Sequence, residues 1–312
     1  MQKNVPRHVA WRLSYERNRY LQHQPNDVLF ERLRYLIENI TTLTPDGRVG
    51  VDGFDPLAEG LWVAFTHTQY EMDMRGLTPP DGFLKEARIA QPTFPSPAPG
   101  GSAYSSPNNP AKNGQLFKFG KRVHLEQLLN EGTLRLGAAS SFTDPSLSIA
   151  AQDDEIRKTI FPSTGGIGVT LPSGKMLTGG ELKNFSMTFD QGTDYYVWCV
   201  SSRYAHRMYA DFSADSCLVI YNYKLFWERL HQAIEQQLRD WTIVSSPVSY
   251  VDPYNPPSGK MFVAMAKHHR YTYQRELRTI ALPPASETAL APLNVVIDLA
   301  GLKLELLNAS DG

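Results

Sequence analysis

Residues 114–139 read GQLFKFGKRVHLEQLLNEGTLRLGAA. GQLFKFG has the alternation and β-branched or aromatic content of a short strand, and TLRLGAA reads as a second one. Between them, KRVHLEQLLNEG places Val123, Leu125, Leu128 and Leu129 on one expected buried side of a helix, with Gly132 positioned to end it. A strand, a helix and a strand in so few residues mark an α+β region rather than a helical bundle. Downstream the same mixture continues. DYYVWCVSS (194–202) is an aromatic and β-branched strand ending in two serines, and DSCLVIYN (215–222) is another buried strand. YAHRMYADF between them suits one or two helical turns. KLFWERLHQAIEQQLRDW is amphipathic, with Leu225, Phe226, Leu230, Ile234 and Leu238 on one stripe. Short strands are expected at TIVSSPVSYV, near MFVAMA and at NVVIDL. Residues 115–312 are therefore expected to form an α+β domain of catalytic type, with a mixed, mainly antiparallel sheet and packed helices.

Upstream the character differs. DVLFERLRYLIENITTL carries Val28, Leu29, Leu33, Leu36, Ile37 and Ile40 at helical spacing, with Asn26 or Asp27 placed to cap it. WRLSYERNRYL also suits a helix, and LWVAFT (61–66) fits either a buried strand or a helical turn. Residues 1–90 are read as a mostly helical region whose histidines and aromatics are packing groups. QPTFPSPAPGGSAYSSPNNPAKNG (91–114) replaces large apolar residues by Pro, Gly, Ser and Asn, as a linker or long loop does.

The 312 residues carry 31 basic and 32 acidic side chains, a formal charge of −1 that gives no bulk attraction to nucleic acid or anionic membrane. No stretch approaches the roughly 18 apolar residues of a membrane span, and the start resembles no secretion signal. A soluble, cytoplasmic protein is expected. Cys199 and Cys217 are too few for a disulfide framework and lack metal-ligand spacing, so both are read as reduced and buried.

KHHRYTYQRELRTI (267–280) carries the densest polar chemistry. Read as one strand, it puts His268, Arg270, Thr272, Gln274, Glu276 and Arg278 on one face. That face is either the solvated side of an edge strand or the wall of a cleft. No G-x-S-x-G elbow is present, the glycine-rich stretch 163–181 lacks phosphate-loop spacing and suits a hairpin or lid, and Asp153, Asp154 and Glu155 fit a solvated helix start as readily as a metal site. No metal is expected.

LFKFG, a helix, NEGTLRLGAASSFTDP, VWCVSSR, RMYADFSADSCLVIY and KHHRYTYQRELR, in this order over about residues 115–282, resemble a bacterial domain family of unknown function. Its members show an aromatic-Lys-aromatic strand, a Phe-x-Asp-Pro loop, a strand ending in Ser, a Met-aromatic segment and a final Tyr-x-x-Glu-x-Arg. RMYADFSAD lacks the histidine and the glycine common there. That family in turn resembles the ADP-ribosyltransferase fold. The resemblance implies NAD as substrate and an acceptor that is protein or nucleic acid. It assigns Glu276 as the catalytic carboxylate with Gln274 completing Gln-x-Glu, and Lys118, Ser201, Tyr209, Phe212 and Arg278 as NAD contacts. Lys118 stands where Arg or His is usual.

The implied activity is ADP-ribosyl transfer or NAD glycohydrolysis, breaking the nicotinamide–ribose bond in bacterial defence or toxicity. Positive charge develops on the sugar, and a fixed carboxylate stabilises it more in the transition state than in the ground state. Two alternatives remain open. His268, His269, Arg270, Tyr271, Tyr273, Arg275 and Arg278 together offer stacking and phosphate contacts, as in a non-catalytic nucleotide- or RNA-binding module. The domain also suits a sensor or interaction part of a defence system.

Overall fold

The computed structural model describes residues 5–43, 49–51, 55–79, 82, 85, 114–148, 150–163, 168–179, 182, 185–287 and 289–309. Nearly all of the expected linker, 91–113, lies outside them. Two helices, α1 (Arg7–Arg17) and α2 (Asn26–Ile40), open the chain, a short antiparallel pair follows in β1 (Thr41–Leu43) and β2 (Val49–Val51), and α3 (Pro56–Met74) closes the region. α3 absorbs LWVAFT as helix. Its start is fixed by Asp55, whose carboxylate accepts from the N–H groups of Leu57 and Ala58 at 2.9 and 3.0 Å, and by Pro56 at the first helical position. α2 has no side-chain cap, because Pro25 occupies the cap position and Asn26 and Asp27 already lie in the first turn; the Asn26 side chain accepts from Arg75. Tyr15, Leu21, Leu29, Leu33 and Met72 form the helices' own small core.

β3 (Leu116–Gly120), α4 (Arg122–Glu131) and β4 (Thr133–Ala138) follow as a strand, a helix and a strand. Gly132 ends α4 at φ +70°, and a Cβ there would lie 2.2 Å from the carbonyl oxygen of Ile297, so no other residue fits. Val123, expected inside, is 58 % exposed. It lies two residues, about 200° of helix, from the buried Leu125. Two antiparallel ribbons come next, β5 (Arg157–Ile160) with β8 (Met187–Asp190) and β6 (Gly168–Thr170) with β7 (Met176–Thr178), so the described part of the glycine-rich stretch is a hairpin. The remainder contains β9 (Tyr196–Ser201), α5 (Arg207–Asp211), β10 (Ser216–Ile220), α6 (Tyr223–Gln237), β11 (Thr242–Pro247), β12 (Ser249–Val251), β13 (Ala266–His268), β14 (Glu276–Leu282), β15 (Leu293–Val296) and β16 (Leu304–Asn308).

The chain is thus mixed α+β with mainly antiparallel strands. Its principal sheet has the order β11-β14-β9-β3-β10-β16, and it forks at β9. One edge of β9 pairs with β14 throughout. The other is shared: β3 meets it at Phe117↔Ser201, and β4, carrying β15, meets it at Gly137↔Val197 and Ala138↔Tyr196. Trp198, Cys199 and Val200 face the gap between the two branches. On one side of the sheet, α4 and α6 bury Leu134, Trp198, Val200 and Leu218 under Leu125, Phe226 and Leu230. On the other, Phe117, Phe119 and Val219 pack against Tyr204, Met208 and Tyr209.

The N-terminal helices dock on the segment after β13 through a polar contact. Arg32 is fully buried and holds Asp252 with two N–H groups at 2.7 and 2.5 Å. It also donates to Thr68, and Tyr35 bonds the His269 ring at 2.7 Å. Removing Arg32 leaves the Asp252 charge, itself mostly buried, without its partner. Arg32→Met is therefore expected to lower stability by about 3–5 kcal/mol in urea unfolding. Burial, with the nearby Arg32, also pushes the His269 ring down to about 4, although Asp252 acts in the opposite sense. The unfolded chain then binds more protons below its ordinary value of about 6.5. Stability from this group is full above that pH and falls on acidification toward 4; burial lowers His67, His206, His231 and His268 as well, so His269→Gln should make this limb shallower in a series of urea midpoints.

Candidate active site

The fork in the sheet makes the site. Where β3 leaves β9, the Cys199 carbonyl faces the gap, and the Lys118 ammonium takes the place of a strand partner, donating to it at 2.8 Å. Lys118 also sits over the Trp198 ring at 5.3 Å. Around this gap lies a cavity of about 730 Å³. Its polar lining comes from Lys118, Ser201, Gln274, Glu276, Lys267 and Glu155, and Leu125, Leu128, Leu134, Trp198, Val200, Phe142 and Phe212 supply apolar lining.

The segment 267–280 is not one strand. β13 ends at His268, a 3-10 helix runs over His269–Gln274, Arg275 takes a left-handed conformation (φ +46°), and β14 starts at Glu276. The reason lies in the N-terminal region. Buried Asn39 donates to the Arg270 carbonyl at 2.5 Å and accepts from the Tyr273 N–H at 3.1 Å, occupying backbone groups that a strand would pair with another strand. Thr272 closes the turn on the His269 carbonyl. The expected alternation of faces therefore fails over 269–274, yet Gln274 and Glu276 both reach the cavity, through the bend at Arg275.

Charges converge where β14 begins. Arg278, fully buried, holds Glu155 with paired N–H groups at 2.6 and 2.9 Å and donates through Nε to Glu276 at 2.8 Å. Lys267 donates to the other Glu276 oxygen at 2.5 Å and to the Gln274 amide oxygen at 2.8 Å. The Gln274 amide nitrogen donates to the Ala150 carbonyl at 2.9 Å, and the Tyr250 hydroxyl accepts from the Glu276 N–H. Lys158 binds Asp153 at the rim of the cluster. Burial alone would raise the pKa of Glu276, but Arg278 and Lys267 outweigh it and hold the carboxyl well below the usual carboxylate range. Burial lowers the pKa of Lys118. Burial, with the Glu276 charge, pushes the Cys199 thiol up to about 12.

The sequence-derived candidates divide as follows. Glu276, Gln274, Lys118, Ser201 and Phe212 line the one cavity. The Ser201 hydroxyl is already engaged, donating to the Gln274 or Arg203 carbonyl at 2.7 or 2.6 Å and accepting from the Arg203 N–H. Arg278 does not line the cavity: it is fully buried and bonded to Glu155, Glu276 and the Ala264 carbonyl. Tyr209 packs edge-on against Phe119 at 5.1 Å in the cluster beyond the cavity wall. The surface imagined for RNA is largely covered, since His269, Tyr271, Arg275 and Arg278 are buried and the N-terminal helices lie over the segment. Asp153 and Glu155 are not a solvated helix start. Asp153 belongs to the charged cluster and Glu155 is a buried partner of Arg278, while Lys267, first of the quoted stretch, was not singled out as chemical. Pairing across 123 positions leaves no local pattern to find. Among the described residues no three His, Cys, Asp or Glu side chains converge as metal ligands, and no helix is long and apolar enough to cross a membrane.

Two outcomes follow from these charges. Arg278→Met, which takes the paired donor from buried Glu155 and one of two cations from Glu276, should cost about 3–5 kcal/mol in urea unfolding. The native thiols should react with an alkylating reagent at pH 8 at least about tenfold more slowly than after denaturation, because the thiolate is the reacting form. Comparison of the chain with family models, curated proteins and solved structures found no match.

Proposed function

We propose that the cavity binds NAD and that the protein cleaves its nicotinamide–ribose bond, with Glu276 as the catalytic carboxylate. One observation carries this reading. The first strand of the domain, a middle strand and a late strand, far apart in sequence, are neighbours in the sheet (β3, β9, β14), and Lys118, Ser201 and Glu276, which they carry, all line one cavity at the gap in the sheet. Glu276 and Ser201 are register partners. That convergence of a cation, a hydroxyl and an ionised carboxylate supports the ADP-ribosyltransferase-like reading of the fold. The cavity volume suits a ligand of dinucleotide size.

The chemistry follows from the charges. Breaking the bond leaves the electron pair on the nicotinamide nitrogen and positive charge on the ribose. Glu276 is ionised beforehand and oriented from behind by Arg278, so no reorganisation is needed as that charge develops. Lys267 and Arg278 each bond one Glu276 oxygen, and the carboxylate keeps further acceptor lone pairs for the sugar without moving. Lys118 retains N–H groups beyond the one given to Cys199 and is placed for an anionic part of the dinucleotide. Trp198 and Phe212 offer apolar faces to the rings.

The test is nicotinamide release from NAD by wild-type protein and by Glu276→Gln, with both checked by circular dichroism and thermal melting. The expected result is release by the wild type and at least a roughly hundredfold loss in the variant, with NAD affinity changed only a few-fold. Binding of NAD without release by either protein would make the cavity a non-catalytic nucleotide site.

A further inference from the structure

Two lysines among the described residues line the cavity, and their surroundings differ. Lys267 is held by charge. It donates to Glu276 at 2.5 Å and to Gln274 at 2.8 Å; burial alone would lower its pKa, but Glu276 and Glu155 outweigh it and hold the ammonium above the usual lysine range. Among the described residues no carboxylate bonds Lys118. Its register partner in β10 is Leu218, and directly paired residues share a face of the sheet, so Lys118 stands on the side where Leu125, Leu128, Leu134, Trp198 and Val200 cluster and line the cavity. Glu276 pairs with Ser201, and Ser201 with Phe117, the neighbour of Lys118 in β3, so these lie on the opposite side. The nearest cavity carboxylate on that strand pair is thus across the sheet from Lys118 and already bonded to Lys267 and Arg278.

This placement favours the free amine. Lys118 gives one N–H to the Cys199 carbonyl at 2.8 Å, which fixes the nitrogen at the gap and leaves its other positions turned away from that carbonyl. The Trp198 ring, 5.3 Å away, favours the ammonium, but by far less than a bonded carboxylate does. Burial lowers the pKa, with Cys199 and Glu276 acting in the opposite sense, so Lys118 gives up its proton more readily than an exposed lysine. A desolvated lysine without a counter-ion, facing a cavity, is the form in which an amine attacks carbonyl carbon.

We propose that Lys118 captures, as an imine, an aldehyde or ketone carried on an apolar or aromatic body. This goes beyond the NAD reading and does not require it, and an anion of the dinucleotide would compete for the same group. The amine nitrogen bonds to the carbonyl carbon, and the carbonyl π electrons go to oxygen, which takes one of the nitrogen's protons. The resulting hydroxyl then leaves as water with the nitrogen's second proton while C=N forms. Amine and carbonyl compound thus yield imine and water. When protonated, the imine keeps one N–H for the Cys199 carbonyl, and the apolar side chains around Lys118 take the body of the compound.

The test incubates the full-length wild-type protein, its folding checked by circular dichroism, with naphthaldehyde and sodium cyanoborohydride and maps the reduced adducts by peptide mass spectrometry. Lys118 is expected to be labelled at least about fivefold more than the average of the other lysines. That excess should grow as the pH falls from about 9 to about 7, because exposed lysines are then more fully protonated. Glycolaldehyde, small and polar, should show a much weaker preference for Lys118. Labelling of Lys118 no greater than that of the exposed lysines would overturn the proposal, and an equal excess with glycolaldehyde would overturn the apolar class of ligand.

Discussion

Arg278 is the group on which the candidate site depends. It is fully buried, and its guanidinium joins two carboxylates that arrive from different parts of the chain, Glu155 from the loop after β4 and Glu276 from the start of β14. Desolvating three charges is costly, and only their mutual pairing in fixed geometry offsets it. Lys267 extends the cluster to Gln274 and so connects it to the 3-10 helix. The position of the Glu276 carboxylate is therefore set by its neighbours' charges at least as much as by the strand that bears it.

The same constraint explains the role of the N-terminal helices. Without Asn39 and the Arg32–Asp252 pair, the segment between β13 and β14 would have unpartnered backbone groups and a buried anion. The helical region is thus part of the architecture that shapes the cavity wall. Its polar interface with the sheet, rather than a continuous apolar core, joins the two.

Local patterns made much of the fold legible. Apolar spacing gave α2 and α6, the turn to Gly132 gave the end of α4, and aromatic and β-branched runs gave β9 and β10. Val123 was misplaced because a first-turn residue lies off the stripe that the middle of the helix buries. The greater error was to extend period-two alternation through 269–274, where backbone groups are satisfied by Asn39, some 230 positions away. Motif order points to Glu276, Gln274, Lys118, Ser201 and Phe212, and all five line one cavity. Arg278 and Tyr209 share those motifs but are turned into packing, and Lys267 and Glu155 gave no sign in sequence, because a buried ion pair is a property of two distant segments and not of either alone.

The fork at β9 has a consequence for how the chain can vary. Register in a sheet passes from strand to strand, and a slip by one residue reverses every side chain beyond it. Here β3 and β4 touch β9 at separate places, so the β3-β10-β16 branch and the β4-β15 branch hold their registers independently. An insertion or bulge in one branch can change the depth or width of the cavity while the alignment of the other, and of the β9–β14 pair carrying Ser201 and Glu276, is preserved. The pocket can be remodelled from either wall without moving its charged floor.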